Sequence, residues 1–468
     1  MINKLCNKYL YKNFKNKEIN IKLDHFMNTR DKILEVTENS SFNNSCLSIV
    51  YKVKDANEFD YIYLNYVRDI LTSISLGLLS KTLREDLEIV YSVKVKPYSR
   101  YGLLEIKAFI NKNNMEQIKE QLTDIKSMNM DELTEFIISL GEKKFRAKQI
   151  YEWIHVKHVE SFDEMTNISK KFIQVLKDNA ILISLKKEEV QVSKLDGTRK
   201  YLFALDDGNV IESVLMKYKH GNSVCISSQV GCRMGCRFCA STLDGLVRGL
   251  RPSEMIDQIY QIGKDIGERI SNVVVMGTGE PLDNYDNLLR FIELLTDENG
   301  INISQRNLTV STCGLVPRMR QLADEKLSIT LALSLHASNQ EKRKALMPVA
   351  NSYDIHDVVD ACKYYFAQTG RRVTFEYSLV GGVNDTAEDA AELSALVHGM
   401  NCHINLIPVN PIKERDYVQS NKGVIEAFKN RLEKNGINVT IRREMGRDID
   451  GACGQLRKKH IDKERGIN

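Results

Sequence analysis

Apolar residues recur along this chain with two different periods, and the points where the period changes divide it into regions. Over residues 57–80 the positions Phe59, Ile62, Tyr63, Tyr66, Ile70 and Leu71 fall at helical spacing, which predicts an amphipathic helix. Residues 88–96 and 102–110 alternate apolar and polar side chains instead, like two strands joined by the turn Pro97-Tyr98-Ser99-Arg100, and a second helix is predicted from Asn114. Helical spacing returns over residues 131–140, 144–157 and 170–179. Their apolar face includes Leu133, Phe136, Ile137, Phe145, Ile150, Trp153, Ile154, Phe172 and Leu176. Alternation then takes over in residues 188–193, 199–205 and 209–217, with Asp196-Gly197 and Asp206-Asp207-Gly208 as hairpin turns.

From about residue 221 to 447, strand and helix patterns alternate. Strands are predicted at 223–227, 272–276, 307–312, 329–335, 373–379, 402–409 and 438–442. Helices are predicted at 252–266, 285–296, 316–325, 355–369, 386–398 and 422–435. The strand runs are rich in apolar residues, and repeated βα units of that kind predict a parallel sheet buried on both faces. Six units fit a partial TIM-type (βα)6 barrel, whose active site lies at the C-terminal ends of the strands. The chain is therefore predicted as α/β, with an α+β N-terminal extension (residues 1–125), a helical accessory domain (130–182), a short β-hairpin segment (183–220) and the barrel (221–460). A length of 468 residues accommodates these several cores.

Composition narrows the class. Hydrophobic residues make up 43% and charged residues 27%, ordinary for a soluble globular protein. No run of eighteen apolar residues occurs, and the stretch after Met1-Ile-Asn-Lys-Leu-Cys6 lacks the apolar segment of a secretory signal. The expectation is a cytoplasmic protein with no membrane partner. The net charge of +4 is mildly basic. Arg442, Arg443, Arg447 and the run Arg457-Lys458-Lys459-His460 concentrate positive charge where a phosphate backbone could be held. A solvated surface is the plainer reading of each one singly.

Cysteine changes the picture most. Three of the ten crowd into Cys232-Arg-Met-Gly-Cys236-Arg-Phe-Cys239. The other seven, Cys6, Cys46, Cys225, Cys313, Cys362, Cys402 and Cys453, are scattered, which is not a disulfide framework. Three thiols at this spacing form a tight loop. An iron–sulfur cube has four irons, normally with one Cys each, so three ligands leave one iron open to chelate a small molecule. The same thiols with a remote fourth ligand could hold structural zinc, although the second CxxC knuckle usual in such sites is absent from the sequence. The loop follows the first predicted barrel strand. Met276-Gly-Thr-Gly-Glu280-Pro281 follows the second, Ser311 the third, Ser334-Leu335-His336 the fourth and Asn410 the sixth. Each alone reads as turn chemistry; together they mark one end of the barrel.

The three-Cys loop, with Phe238 before its last Cys, resembles the radical-SAM superfamily, in which the open iron chelates S-adenosylmethionine (SAM). Further stretches resemble the RlmN/Cfr family of radical-SAM RNA methyltransferases over about residues 130–460. They are Phe145-Arg-Ala-Lys-Gln-Ile-Tyr-Glu-Trp-Ile, Glu164-Met-Thr-Asn-Ile-Ser-Lys, Cys225-Ile-Ser-Ser-Gln-Val-Gly-Cys232, Ala240-Ser-Thr, Leu335-His336-Ala337, Leu346-Met347-Pro348-Val349, Val380-Gly-Gly-Val-Asn-Asp385, Asn405-Leu-Ile-Pro-Val-Asn410-Pro and Arg447-Asp-Ile-Asp-Gly-Ala-Cys453-Gly-Gln-Leu. They are closer to the group that methylates C2 of adenosine than to the group that methylates C8.

That resemblance implies a [4Fe-4S] cluster on Cys232, Cys236 and Cys239. It implies SAM, two per turnover, bound by Gly279, Glu280, Ser311, Ser334, Leu335, His336 and Asn410. Cys453 then carries the methyl group as S-methylcysteine, a second SAM yields the radical that abstracts hydrogen from it, and the resulting carbon radical adds to adenine. Cys225 resolves the covalent adduct by disulfide formation, and Glu212 corresponds to the proton acceptor, a strand-end surface Glu being the plain alternative. The implied substrates are an adenosine in the peptidyl-transferase loop of 23S rRNA and an anticodon-adjacent adenosine in tRNA, and the base has to leave its stack to react. An electron donor such as flavodoxin or ferredoxin and a monomeric state are also expected. A non-catalytic iron–sulfur or zinc RNA-binding module is the alternative from a different class.

Leu83-Arg-Glu and Ile89-Val-Tyr-Ser, within the helix, hairpin, helix order of the extension, resemble the C-terminal part of an M16-type zinc peptidase domain. No HxxEH motif occurs, so no peptidase activity is implied. A chain starting near Met128 is expected to keep the methylation activity.

Overall fold

The computed structural model describes residues 32–38, 44–52, 90–98, 103–111, 123–410, 416–449 and 454–464, with side chains described over 123–410, 416–449 and 454–461. Cys453 and the helices predicted over residues 57–80 and from Asn114 lie outside the described residues. The chain divides into two compact units, Met1–Thr123 and Asp124–Asn468.

In the first unit, β1 (Lys32–Glu38), β2 (Asn44–Lys52), β3 (Val90–Tyr98) and β4 (Leu103–Asn111) form an antiparallel sheet in the order β1-β2-β4-β3. The predicted hairpin is β3–β4. Pro97, expected in its turn, lies within the ladder opposite Leu104. Proline lacks the N–H a central strand would need, and β3 is an edge strand.

The second unit opens with three helices, α1 (Met130–Ser139), α2 (Phe145–His155) and α3 (Lys170–Asn179). Asn129 begins α1 with a reciprocal capping box to Glu132. Leu133, Ile137, Ala147, Ile150, Tyr151, Ile154, Phe172 and Leu176 close one core between the helices. Phe145 departs from the prediction: it is the first residue of α2, ahead of the buried stripe that starts at Ala147, and is 54% exposed. Residues 124–127 also belong here and not to the extension. Ile125 is fully buried in the helical core, and Lys126 ion-pairs with Asp257 over 2.6 Å with both side chains buried.

The remaining elements follow in order: β5 (Lys186–Val192), β6 (Arg199–Ala204), β7 (Val210–Tyr218), β8 (Gly221–Cys225), β9 (Gln229–Gly231), β10 (Leu246–Gly249), α4 (Pro252–Ile266), β11 (Ile270–Val275), α5 (Tyr285–Thr296), β12 (Leu308–Thr312), α6 (Val316–Asp324), β13 (Thr330–Ser334), α7 (Gln340–Leu346), α8 (Ile355–Thr369), β14 (Val373–Leu379), α9 (Ala387–Leu396), β15 (Cys402–Pro408), α10 (Lys422–Lys434), β16 (Val439–Ile441) and α11 (Gln455–Glu464). Strands β8 and β11–β16 pair in parallel in sequence order, the partial barrel that the alternating pattern predicted. Val273, Val310, Leu333, Phe375 and Ile404 are fully buried in its core.

The predicted hairpin segment is present but does not stand apart. Strands β5, β6 and β7 continue the same sheet antiparallel from β8, giving the order β16-β15-β14-β13-β12-β11-β8-β7-β6-β5. Side chains alternate across a strand: Tyr201, Phe203, Ile211 and Leu215 enter the main core, while Leu202 and Val210 form a separate small cluster with Leu456 of α11.

Candidate functional site

The C-terminal ends of the parallel strands open onto a cavity of about 660 Å³. Its lining includes Cys225 at the end of β8, Cys232, Cys236 and Cys239 of the loop that follows, Gly279 and Glu280 after β11, Ser311 on β12, Ser334 and His336 at the end of β13, Asn410 after β15, and Glu212 on β7. Leu335 is the predicted ligand-binding residue that the structure does not bring to this wall. Its side chain is fully buried in the barrel core, and its N–H donates to the Glu376 carbonyl.

The cysteine loop is bracketed by a short hairpin, β9 and β10, which alternation over so few residues did not reveal. Gly231 sits at φ +76°, where a Cβ would lie 1.9 Å from the Gly245 carbonyl oxygen. Any side chain there would force the bracket apart. Thr242 Oγ1 donates to the carbonyls of Cys236 and Cys239 at 3.1 and 2.9 Å, and the Arg237 N–H donates to Leu346 O at 2.9 Å. Leu346, Met347 and Val349 pack with Cys313 against Met234, Cys236 and Phe238, which gives the Leu346–Val349 stretch its part: it buttresses the loop.

The surroundings of the loop thiols disfavour their charged forms. Burial pushes the Cys236 thiol well up, and the neighbouring Cys239 and Cys232 push it further. Burial raises Cys239 as well. Neighbouring thiolates in a largely desolvated loop are unfavourable until metal charge offsets them. Among the described residues no three His, Cys, Asp or Glu side chains converge tightly enough for a single metal ion.

The Gly-Thr-Gly-Glu turn is held by Gln229, which pattern reasoning did not single out. Gln229 Oε1 accepts from the Glu280 N–H at 2.8 Å, and its Nε2 donates to Asp283 at 3.0 Å. Gly279 stands at φ +112° with an added Cβ only 2.6 Å from Gln229 Cβ. Glu280 is buried, and burial raises its carboxyl although Oε2 accepts from Cys313 N–H at 2.7 Å and Oε1 from Leu282 N–H at 3.1 Å. Side-chain hydrogen bonds from Cys313 and Thr312 also bear on this carboxyl, and Glu280 lines the cavity. Cys313, expected to be a structural thiol, is buried and also reaches the lining.

His336 adopts φ +55°, a left-handed conformation that non-glycine residues seldom take. Its carbonyl accepts from Asn384 Nδ2 at 2.7 Å, and its Nδ1 accepts from the Ser378 N–H at 2.9 Å. An Nδ1 acceptor leaves the proton on Nε2. Burial lowers the ring to about 3, so it is a neutral hydrogen-bond donor, and Phe238 packs edge-on at 4.7 Å. Ser311 and Ser334, from adjacent strands, bring their hydroxyls to 3.4 Å.

Arg442, Arg443 and Arg447 line the cavity. Arg457, expected among the phosphate-holding residues, does not face solvent: it is 5% exposed and its Nε donates to Val210 O at 3.0 Å.

Residues 123–182 match the family model described as the ribosomal RNA large subunit methyltransferase N-terminal domain, and residues 226–394 that of the radical SAM superfamily. Residues 2–137 match the peptidase M16 inactive domain. A protein of Lachnospira eligens named as a probable dual-specificity RNA methyltransferase RlmN is 68% identical over 341 residues, 73% of this chain and 97% of its own length. Its counterpart in Lachnoclostridium phytofermentans is 64% identical over 349 residues, 75% of this chain and 98% of its own length. A crystal structure of a radical SAM methyltransferase from Sphaerobacter thermophilus superposes with a TM-score of 0.69 at 39% identity, covering 71% of this chain and 98% of that one.

Proposed function

Because the chain belongs to the RlmN family of radical-SAM RNA methyltransferases, we propose that it methylates C2 of an adenosine in 23S rRNA and of an anticodon-adjacent adenosine in tRNA. As a family member it works with a [4Fe-4S] cluster and SAM, and its substrate is RNA. Cys232, Cys236 and Cys239 would hold the cluster, which when bound supplies the electron for reductive cleavage of SAM. Gly279, Glu280, Ser311, Ser334, His336 and Asn410 would orient SAM. In this reading Leu335 contributes through its backbone alone.

Cys453 acts as the methyl carrier. Once the methyl group on its sulfur has given up one hydrogen atom to the radical that bound SAM would supply, that carbon bonds to C2 of the base while still attached to sulfur, and enzyme and RNA are covalently joined. Glu212 accepts the proton lost from C2. The odd electron of the adduct would return to the cluster; the thiolate of Cys225 then attacks the Cys453 sulfur, and as the Cys225–Cys453 disulfide forms the electron pair of the broken sulfur–carbon bond goes to the carbon, which takes up a proton and becomes the methyl group on the base. The observation that carries this reading is that Cys225, Glu212 and the three loop cysteines, from three separate stretches of chain, line one cavity.

The helical domain would grip RNA through Lys143, Lys144 and Lys148, exposed beside the half-exposed Phe145. An aromatic face among cations suits an unpaired base. No helix among the described residues is long and apolar enough to cross a membrane. A cytoplasmic location, a flavodoxin or ferredoxin as electron donor and a monomeric state complete the proposal.

The test is nucleoside mass spectrometry of rRNA and tRNA after anaerobic incubation with the iron-loaded protein, SAM and a reductant. The expected product is 2-methyladenosine in both RNAs. If 8-methyladenosine forms instead, the chain works as a C8 methyltransferase and the C2 proposal fails.

A further inference from the structure

Glu212 does more than line the cavity. Its Oε2 accepts from the Gly454 N–H at 2.7 Å, and its Oε1 accepts from the Arg457 N–H. Helix α11 starts at Gln455. Amides in the first turn of a helix have no acceptor within it, and a carboxylate there also meets the positive end of the helix dipole. Glu212 is thus the cap of α11, supplied by a strand 242 residues away in sequence.

Lys200 completes the arrangement. Its Nζ lies 3.1 Å from the same Oε2, with Lys200 0% and Glu212 3% exposed. The sheet register puts this pair on the face that matters. Lys200 is directly opposite Val214 on β7, and Val214 is directly opposite Cys225 on β8. Directly opposed residues of antiparallel strands share a face, so Lys200, Val214 and Cys225 form one row, and Glu212, two residues from Val214, lies on that face too. The contacts of α11 agree: Leu456 packs with Leu202 and Val210, and Arg457 Nε reaches Val210 O. A buried carboxylate whose cationic partner is removed is left uncompensated, which is strongly unfavourable.

We propose that Lys200 is a positioning residue for the methyl carrier: by pairing with Glu212 it holds that carboxylate on the amides of Gly454 and Arg457, and so fixes the chain immediately after Cys453 on the sheet face that bears Cys225. The link to catalysis rests on the reading of Cys453 as the carrier; the clamp itself does not. Lys200 acts through Glu212 and contacts no reacting atom.

The experiment uses the full-length, iron-loaded protein with Lys200→Met, which removes the charge at similar length. Amide hydrogen exchange and the methyl occupancy of Cys453 after incubation with SAM, read by peptide mass, are measured together. Exchange in the peptide spanning residues 454–461 is expected to quicken at least tenfold with α4 and β11 unchanged, and Cys453 methylation to fall at least fivefold. Lys200→Arg restores most of both. Glu212→Gln alone quickens exchange in the same peptide, and adding Lys200→Met to it changes nothing further.

Wild-type exchange in Lys200→Met overturns the proposal, as does a further quickening in the Glu212→Gln background equal to that in wild type. Loss of protection throughout the barrel in Lys200→Met and Lys200→Arg alike overturns it too, because the residue would then serve general stability. If exchange responds as expected but methylation does not fall, the clamp stands and its positioning role fails. If the wild-type protein never carries methyl on Cys453, the carrier reading fails while the exchange result still decides the clamp.

Discussion

The backbone N–H of Cys313 donates to Oε2 of Glu280 over 2.7 Å, tying the residue that follows β12 to the loop that follows β11. Glu280→Ala would leave that amide and the Leu282 amide without their acceptor in a buried site. An unsatisfied buried donor costs about 1–3 kcal/mol. Denaturant unfolding should therefore show a loss of about 2–6 kcal/mol for the two amides, together with weakened SAM binding. Unchanged stability would mean that these amides find water.

Gly279 and Gly208 both have positive φ, at +112° and +79°, but a Cβ at Gly279 would lie 2.6 Å from Gln229 Cβ, whereas at Gly208 nothing lies within 4 Å. Gly208→Ala should cost only the backbone strain, about 1 kcal/mol, with SAM affinity kept. Gly279→Ala adds a clash at the ligand turn and should weaken SAM binding at least tenfold. Equilibrium binding with both variants separates the effects, and equal affinities would contradict the packing argument.

His155 and His158 give the helical domain a pH signature. His155 Nδ1 lies 2.8 Å from the Tyr260 hydroxyl of α4, and His158 stacks on the Tyr260 ring at 4.0 Å. The Nε2 atoms of both are buried without a partner. Burial is the main cause that lowers His155 to about 3 and His158 to about 4 from the ordinary 6.5. Both are neutral when folded, so below pH 6.5 the unfolded chain takes up protons that the folded chain does not. Stability falls with pH from 6.5 toward 4, by about 1.4 kcal/mol per pH unit for each histidine. Denaturant unfolding at pH 6 and pH 5 should show His155→Gln losing about 1 kcal/mol less than wild type over that interval. Equal losses would contradict a neutral buried His155.

The barrel was legible because strand-like and helix-like stretches alternate regularly and its helices keep one apolar stripe; α4, α5 and α8 coincide with the predicted ranges. Most of the cavity residues were legible by position, at or just after the ends of successive parallel strands, whereas Glu212 lies within β7 and came only from the resemblance. What the pattern could not carry was long-range polar pairing. Nothing near Lys200 or Gln229 in sequence announces Glu212 or Glu280, since partner choice is settled only by register and loop closure. Helix α7 was missed because Gln340-Glu-Lys-Arg-Lys has no apolar stripe, although Asn339, which caps it through Lys342 N–H, is a start signal. Helix α11 is likewise mostly charged, and its anchor Leu456 is one residue.

The second unit begins at Asp124, ahead of the start near Met128 expected for an active shortened chain. Starting at Met128 removes Lys126 from Asp257 and Asp124 from Ser253, to which they bond at 2.6 and 2.5 Å, and takes Ile125 out of the helical core. Loss of one partner of a buried ion pair costs about 3–5 kcal/mol. A chain starting at Thr123 should load iron and methylate RNA, whereas one starting at Met128 should be markedly less stable to denaturant. Equal stability of the two would show that residues 124–127 do not belong to this core.

The carrier-and-resolver account is tested most directly by a denaturing gel of reactions with RNA. Cys225→Ala keeps the carrier and loses only the thiol that breaks the enzyme–RNA bond. It should give a shifted, ribonuclease-sensitive band whose crosslinked peptide contains Cys453. Cys453→Ala and the double variant should give no band, with iron content equal to wild type in all three. If Cys225→Ala turns over normally without trapping RNA, or if the band persists when Cys453 is replaced, these two cysteines do not divide the work as proposed.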